Sequence, residues 1–228
     1  MAVRPRQEVL RLDQRPVLSA TCWIETDSHR QIRTLCAEVI EKADVLWLYG
    51  PSGVGKTHLA LQLQSAQPID YFDCAEIPPP DAQVLFDSLD VDRAVILDSI
   101  DCWLGPAGAE EALFSWWKRR LAAVVCIAPV SARKADLFCL PDLASRALAS
   151  HLVALEPLSD EGITALWRCL LAEYGLELGP EVLRFLAPRL PRNPGRVVQL
   201  VQAMDQESLR DQRKITIPWL KQLLLSLS

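Results

Sequence analysis

Apolar runs of strand length alternate with amphipathic stretches of helical period along the first two-thirds of the chain. Val45-Leu46-Trp47-Leu48-Tyr49, Ala94-Val95-Ile96-Leu97-Asp98 and Val124-Val125-Cys126-Ile127-Ala128 are nearly continuous in apolar residues, as strands covered on both faces of a parallel sheet must be. Ile69-Asp70-Tyr71-Phe72-Asp73 alternates enough for a further strand, and His151-Leu152-Val153-Ala154-Leu155 supplies a fifth. A helix is expected from the Thr26-Asp27-Ser28 cap, with Ile32, Leu35, Cys36, Val39 and Ile40 on one face. Pro78-Pro79-Pro80 interrupts the chain before a short helix around Val84-Leu85-Phe86. Glu110 to Leu121 predicts a helix whose Leu113, Trp116, Trp117 and Leu121 face the core. Five strands interleaved with helices predict a doubly wound parallel sheet.

The pattern changes at Glu156-Pro157-Leu158-Ser159-Asp160, after which only helices are expected. One carries Ile163, Leu166, Trp167, Leu170, Leu171 and Tyr174 and stops at Gly175. The next two carry Val182, Phe185 and Leu186, then Val197, Leu200, Val201 and Met204. The last opens at Thr216-Ile217-Pro218 and buries Trp219, Leu220, Leu223 and Leu224. The expected organisation is an N-terminal arm (1–25), an α/β core (26–156) and a helical lid (157–228).

The loop after the first strand, Gly50-Pro51-Ser52-Gly53-Val54-Gly55-Lys56-Thr57, fills the pattern G-x-x-x-x-G-K-[ST] between a strand and a helix. Its glycines let backbone N–H groups curl around phosphate oxygens, and the helix N-terminus adds partial positive charge. Lys56 is expected to reach the β- and γ-phosphates, Thr57 to offer its hydroxyl to Mg²⁺, and His58 to border the nucleotide. Asp98, at the end of a buried strand, is expected to hold the Mg²⁺ through water. ADP or ATP with Mg²⁺ are therefore the expected ligands. The acid that often follows such an aspartate, to orient the attacking water, is replaced by Ser99. Asp101 is a candidate substitute, but it lies on the far side of Ile100 and is expected to point elsewhere. The strand ending at Ala128 is followed by Pro129-Val130-Ser131, which offers no good polar sensor of the γ-phosphate. Such a site holds nucleotide more than it turns it over. A P-loop core with a helical lid is the architecture of an AAA+ ATPase.

Composition narrows the picture. Lys plus Arg number 24 against 29 Asp plus Glu, a net charge of −5 that argues against gripping nucleic acid as the main activity. No apolar run approaches the roughly 18–20 residues of a membrane span. The first eight residues lack the apolar stretch of a secretion signal, so a cytoplasmic protein is expected. The seven cysteines are never spaced C-x-x-C and mostly sit in apolar segments, so neither disulfide nor zinc site is expected.

Leu140-Pro141-Asp142-Leu143-Ala144-Ser145-Arg146, then Leu155-Glu156-Pro157-Leu158-Ser159-Asp160-Glu161, and finally Gln212-Arg213-Lys214-Ile215-Thr216-Ile217-Pro218 carry a more specific likeness. With the P-loop, they make residues 26–228 resemble the AAA+ module of the DnaA replication-initiator family, and within it the Hda-like regulatory inactivators. The resemblance implies that Arg146 is an arginine finger acting on a neighbouring subunit's nucleotide. It also implies that Arg196 is the lid arginine that touches the phosphates of its own. Hda-like proteins carry an N-terminal segment that docks on the sliding clamp (the β subunit of DNA polymerase III). Gln7, Leu10 and Leu12 have the form Q-x-x-L-x-L, but Glu8 stands where the family usually has leucine. The chain as given stops at Ser228 without the initiator's helix-turn-helix region, so DNA contact is expected to be weak or indirect. The implied function is an adaptor that binds ADP or ATP and DNA-loaded clamp. It stimulates ATP hydrolysis by DnaA, which restrains replication initiation, and a homodimer is left open. The alternative is a stand-alone AAA+ helicase loader or motor, which needs hydrolysis in its own P-loop.

Overall fold

The computed structural model describes residues 22–105, 108–134, 136–211 and 215–226, with side chains left aside at 208–211 and 226. Gln7, Leu10 and Leu12 lie outside the described residues, as do Gln212 to Lys214. Five strands, β1 (Val45–Tyr49), β2 (Ile69–Asp73), β3 (Ala94–Asp98), β4 (Val124–Ala128) and β5 (His151–Ala154), form one sheet in the order β2-β3-β4-β1-β5. All neighbours run parallel. The expected α/β class is what the chain adopts.

Because side chains alternate across a strand, the apolar runs divide cleanly between two layers. Trp47, Val95, Leu97, Val124 and Cys126 face α3 (Ala82–Ser88), α4 (Ala109–Arg119) and α5 (Pro141–Ala149). Leu46, Leu48, Ile96, Val125 and Ile127 face α1 (Asp27–Glu41) and α2 (Lys56–Ala66). Each fully buried Leu, Ile or Val contributes on the order of 1.5–3 kcal/mol, so the sheet is a firm base for the loops at its C-terminal edge. Trp116 and Trp117 are buried with Phe86, which stacks on Trp116 at 4.8 Å, as core residues rather than a base-stacking platform.

Leu121 departs from expectation. Helix α4 ends at Arg119, and Leu121 is 66% exposed. The chain leaves the helix at Arg120, whose guanidinium donates to the carbonyls of Ala43 and Ala122 and holds the backbone extended.

The lid consists of α6 (Asp160–Glu173), α7 (Pro180–Leu186), α8 (Pro194–Asp211) and α9 (Ile217–Ser226). Ser159 caps α6 by accepting from the Gly162 N–H, and the chain turns out of this helix through Gly175 at φ +61°. Leu166, Trp167, Leu170, Leu186, Val197, Leu200, Val201, Met204 and Leu220 make its own core. Cys22 joins that core through a disulfide to Cys169 of α6. This corrects the expectation of unpaired thiols. The two residues are 147 positions apart, and only the fold brings their Cα atoms to 5.6 Å, close enough to bridge. Cys36 and Cys126 behave as the sequence suggests, with burial pushing both thiols up to about 12. Among the described residues no helix is long and apolar enough to cross a membrane.

Candidate nucleotide site

Parallel strands deliver their C-terminal ends to one edge of the sheet, and the loops there enclose a cavity of about 510 Å³ between core and lid. The turn after β1 enters α2 through Gly53 and Gly55, both at positive φ (74° and 111°), where a side chain would be strained. A Cβ at Gly53 would also collide with the Asn193 amide. Ser52, Gly53, Gly55, Lys56, Thr57 and His58 line the cavity. Gly50 and Pro51 serve it differently: their carbonyls accept from the Lys56 ammonium at 2.7 and 3.0 Å. Val54 is buried and anchors the turn in the core.

Opposite the turn stands Asp98, 3% exposed at the end of β3. Its Oδ2 accepts from the Thr57 hydroxyl at 2.7 Å and from the Tyr71 hydroxyl at 3.0 Å, and its Oδ1 from the Ser99 N–H at 2.8 Å. The hydroxyl and carboxylate expected to flank Mg²⁺ thus meet across the cavity. A cradle of positive-φ glycines, an ammonium at its floor and this oxygen pair fit a magnesium-bound nucleoside phosphate. Thr57 and Asp98 would flank the ion, and its charge would offset that of the phosphates. Burial lowers the Lys56 pKa from its ordinary value, while Asp98 and Asp101 oppose that change.

His58 faces the same cavity with Nε2 enclosed and without a hydrogen-bond partner. Trp23 stands edge-on to its ring at 5.0 Å and also packs on His29 at 4.7 Å. Burial lowers the pKa of His58, and neighbouring His29 pushes it the same way, so the imidazole is neutral at pH 7.

One expectation is corrected. Asp101 does not point away: it lines the cavity with Lys56 and Asp98. Ser99 adopts a left-handed backbone (φ 53°), and the 3₁₀ turn Ile100–Trp103 carries the chain round. Ile100 and Trp103 then enter the core while Asp101 faces the site. Arg196 is not among the cavity's lining residues. It lies on the far side of α8 beside Phe185, Arg189 and Lys221, around a second cavity of about 560 Å³. Successive helical residues are turned by about 100°. With Pro194, Gly195 and Val198 against the first cavity, Arg196 is carried to the other side.

Residues that the sequence reading passed over join lid to P-loop. The Asn193 amide donates to the Ser52 carbonyl at 2.6 Å, and the Gly195 N–H donates to the Gly53 carbonyl at 3.0 Å. Asn193 Oδ1 meanwhile caps α8 by accepting from the Arg196 N–H at 3.1 Å. An asparagine two residues before a glycine at a helix start was the available signal.

Arg146 sits on α5, exposed, with its guanidinium carbon 5.4 Å from the Phe114 ring centre. Its helix is fastened by Glu110, 2% exposed. That carboxylate accepts from the N–H groups of Gly105 (2.6 Å), Cys139 (2.9 Å) and Leu140 (2.6 Å) and so fixes the loop entering α5.

The lid and fold both have known relatives. Residues 161–224 match the family described as Hda, lid domain. An uncharacterised protein of Haemophilus influenzae is 27% identical over 190 residues, which cover 80% of this chain and 82% of that one. Domain III of the Thermotoga maritima replication initiation protein DnaA superposes with a TM-score of 0.71 at 19% identity, over 91% of this chain and 95% of that one. AMPPCP-bound DnaA from Aquifex aeolicus gives 0.60 at 19% identity, over 84% and 67%. The Holliday junction branch migration motor RuvB of Thermotoga maritima gives 0.60 at 18%, over 87% and 67%. The lid is thus similar to the Hda lid domain, and the fold, a P-loop α/β core with a helical lid, is one shared with DnaA domain III.

Proposed function

We propose that the protein is a nucleotide-bound adaptor that switches off the replication initiator DnaA. It binds ADP or ATP with Mg²⁺ through Gly50 to His58 and Asp98, docks on DNA-loaded sliding clamp through Gln7, Leu10 and Leu12, and presents Arg146 to ATP held by DnaA. A positioned arginine can accelerate phosphoryl transfer by roughly 10³–10⁵ by stabilising charge that builds up in the transition state. The initiator then hydrolyses its ATP, and initiation is restrained. The observation that carries this reading is Arg146 itself, a solvent-facing guanidinium on a helix anchored by a buried carboxylate. The Hda lid and the DnaA-like fold support DnaA as the partner. A P-loop contacted by two lid residues supports a role for nucleotide in setting the angle between core and lid.

Mixing the protein with clamp, DNA and ATP-loaded DnaA tests the proposal. Conversion of DnaA-bound ATP to ADP should accelerate, and Arg146→Ala should abolish the acceleration while leaving clamp binding intact. Full activity of Arg146→Ala would reject the finger. Removing residues 1–12 should abolish clamp capture. The second reading, a loader or motor running on its own ATP, draws support from Asp101 facing the cavity. Brisk turnover by the protein alone, without DnaA, would favour it.

A further inference from the structure

The cavity is lined by two carboxylates, Asp73 and Asp101, whose roles the nucleotide-holding reading leaves open. Asp98 is fully engaged: Thr57 and Tyr71 donate to one oxygen and the Ser99 N–H to the other. Asp73 Oδ1 accepts from the Ala75 N–H at 3.0 Å. Asp101 differs, because its Oδ1 is enclosed and accepts from no neighbour. An enclosed acceptor without a donor is costly to keep unless a ligand or water satisfies it. Burial raises the Asp101 pKa, its own backbone N–H and Lys56 oppose the rise, and Asp98 and Asp73 add to it. Raising a carboxylate in this way makes it a better proton acceptor. Beside Asp101 along the chain Ser99 has only a hydroxyl, and Ala128 and Pro129 across the cavity have no polar side chain.

We infer that Asp101 is the water-activating carboxylate of this chain's own P-loop, and that the protein slowly hydrolyses the ATP it binds. The acid missing at position 99 is supplied from two residues further on by the left-handed bend at Ser99. The Asp101 carboxylate accepts a proton from a water as the water oxygen bonds to the γ-phosphorus. The bond from that phosphorus to the β–γ bridging oxygen breaks, and its electron pair leaves with ADP. Inorganic phosphate is the other product, and the proton passes from Asp101 to solvent. Lys56, drawn towards Asp98 and Asp101 electrostatically, offsets charge on the phosphates. With no arginine among the described residues that line the cavity, the rate stays slow. This inference rests on the nucleotide-binding part of the proposed function and is independent of Arg146 and the clamp.

The test uses the full chain with magnesium and ATP in single turnover, beside fluorescence titration with a mant-labelled ATP and thermal denaturation. The wild type should release phosphate, and Asp101→Asn should slow release by about 10²-fold or more. The variant's mant-ATP affinity should stay within about threefold of wild type, as expected for a group acting in the transition state rather than in binding. Unchanged release by Asp101→Asn would overturn the inference, as would loss of mant-ATP affinity and thermal stability alongside the rate. Wild type that binds mant-ATP without releasing phosphate removes this inference alone. Failure of mant-ATP to bind removes the nucleotide reading as well.

Discussion

The Asn193 amide lies 2.6 Å from the Ser52 carbonyl, 141 residues away in the chain, and its other amide atom caps helix α8. One side chain thus holds both the start of a lid helix and the outer turn of the P-loop. Replacing Asn193 with alanine should cost about 1–2 kcal/mol, the usual loss for a helix cap. In a chain of this size that lowers Tm by roughly 2–8 °C. Nucleotide should also restore less of the lost stability than it adds to the wild type, because phosphate contacts then reach the lid less directly. Differential scanning fluorimetry with and without ADP measures both effects.

Glu110 gives a second prediction. A buried carboxylate accepting three backbone N–H groups is replaced at high cost, because its donors are left unsatisfied. Glu110→Ala should destabilise by about 3 kcal/mol or more. If Arg146 acts in trans, stimulation of DnaA should fall too, even though residue 146 is untouched. Glu110→Gln keeps the acceptor oxygen and should lose less of both. Chemical denaturation followed by the DnaA assay separates the variants.

The histidine pair predicts a pH dependence. Burial lowers the pKa of His29 and of His58 from the ordinary value of 6.5. The unfolded chain therefore binds more protons than the folded one once pH falls to 6.5 and below, and stability rises with pH across that window. Tm should be level above pH 7.5 and drop as pH falls from 6.5 towards 5. His58→Gln should flatten the slope. An unchanged slope in that variant would place its origin elsewhere.

The Cys22–Cys169 bridge leaves five thiols, Cys36, Cys74, Cys102, Cys126 and Cys139. Thiol titration of the denatured, unreduced protein should count five of the seven cysteines. Reductant should lower the stability of the wild type by about 2–4 kcal/mol and leave Cys169→Ser unchanged.

The strands were readable because sequence pattern and burial coincide: a run such as Val124 to Ala128, apolar at every position, has no comfortable place outside a sheet covered on both faces. The P-loop and Asp98 were readable for a related reason, since their chemistry depends on local order, with strand, turn and helix adjacent in the chain. What escaped depends on distant parts meeting. Cys22 and Cys169 share no spacing signal, and Asn193 shows its function only when Ser52 stands beside it. Glu110, in the sequence only the start of a predicted helix, shows its role once the loop before α5 closes over it. Asp101 was misjudged because a chain continuing beyond β3 would alternate faces, whereas this one turns left-handed at Ser99. Arg196 was placed by resemblance, and the pitch of α8 beyond Gly195 carries it to the opposite side.

The bend at Ser99 has a bearing on how such proteins are compared. A serine with φ 53° followed by one tight turn lets an acid re-enter the active edge from two positions downstream of its customary column. A reading that looks only at position 99 finds a hydroxyl there and misses the carboxylate that lines the cavity from Asp101. What this P-loop can do to a bound water is therefore better judged by which side chains face the cavity than by which letter follows the strand.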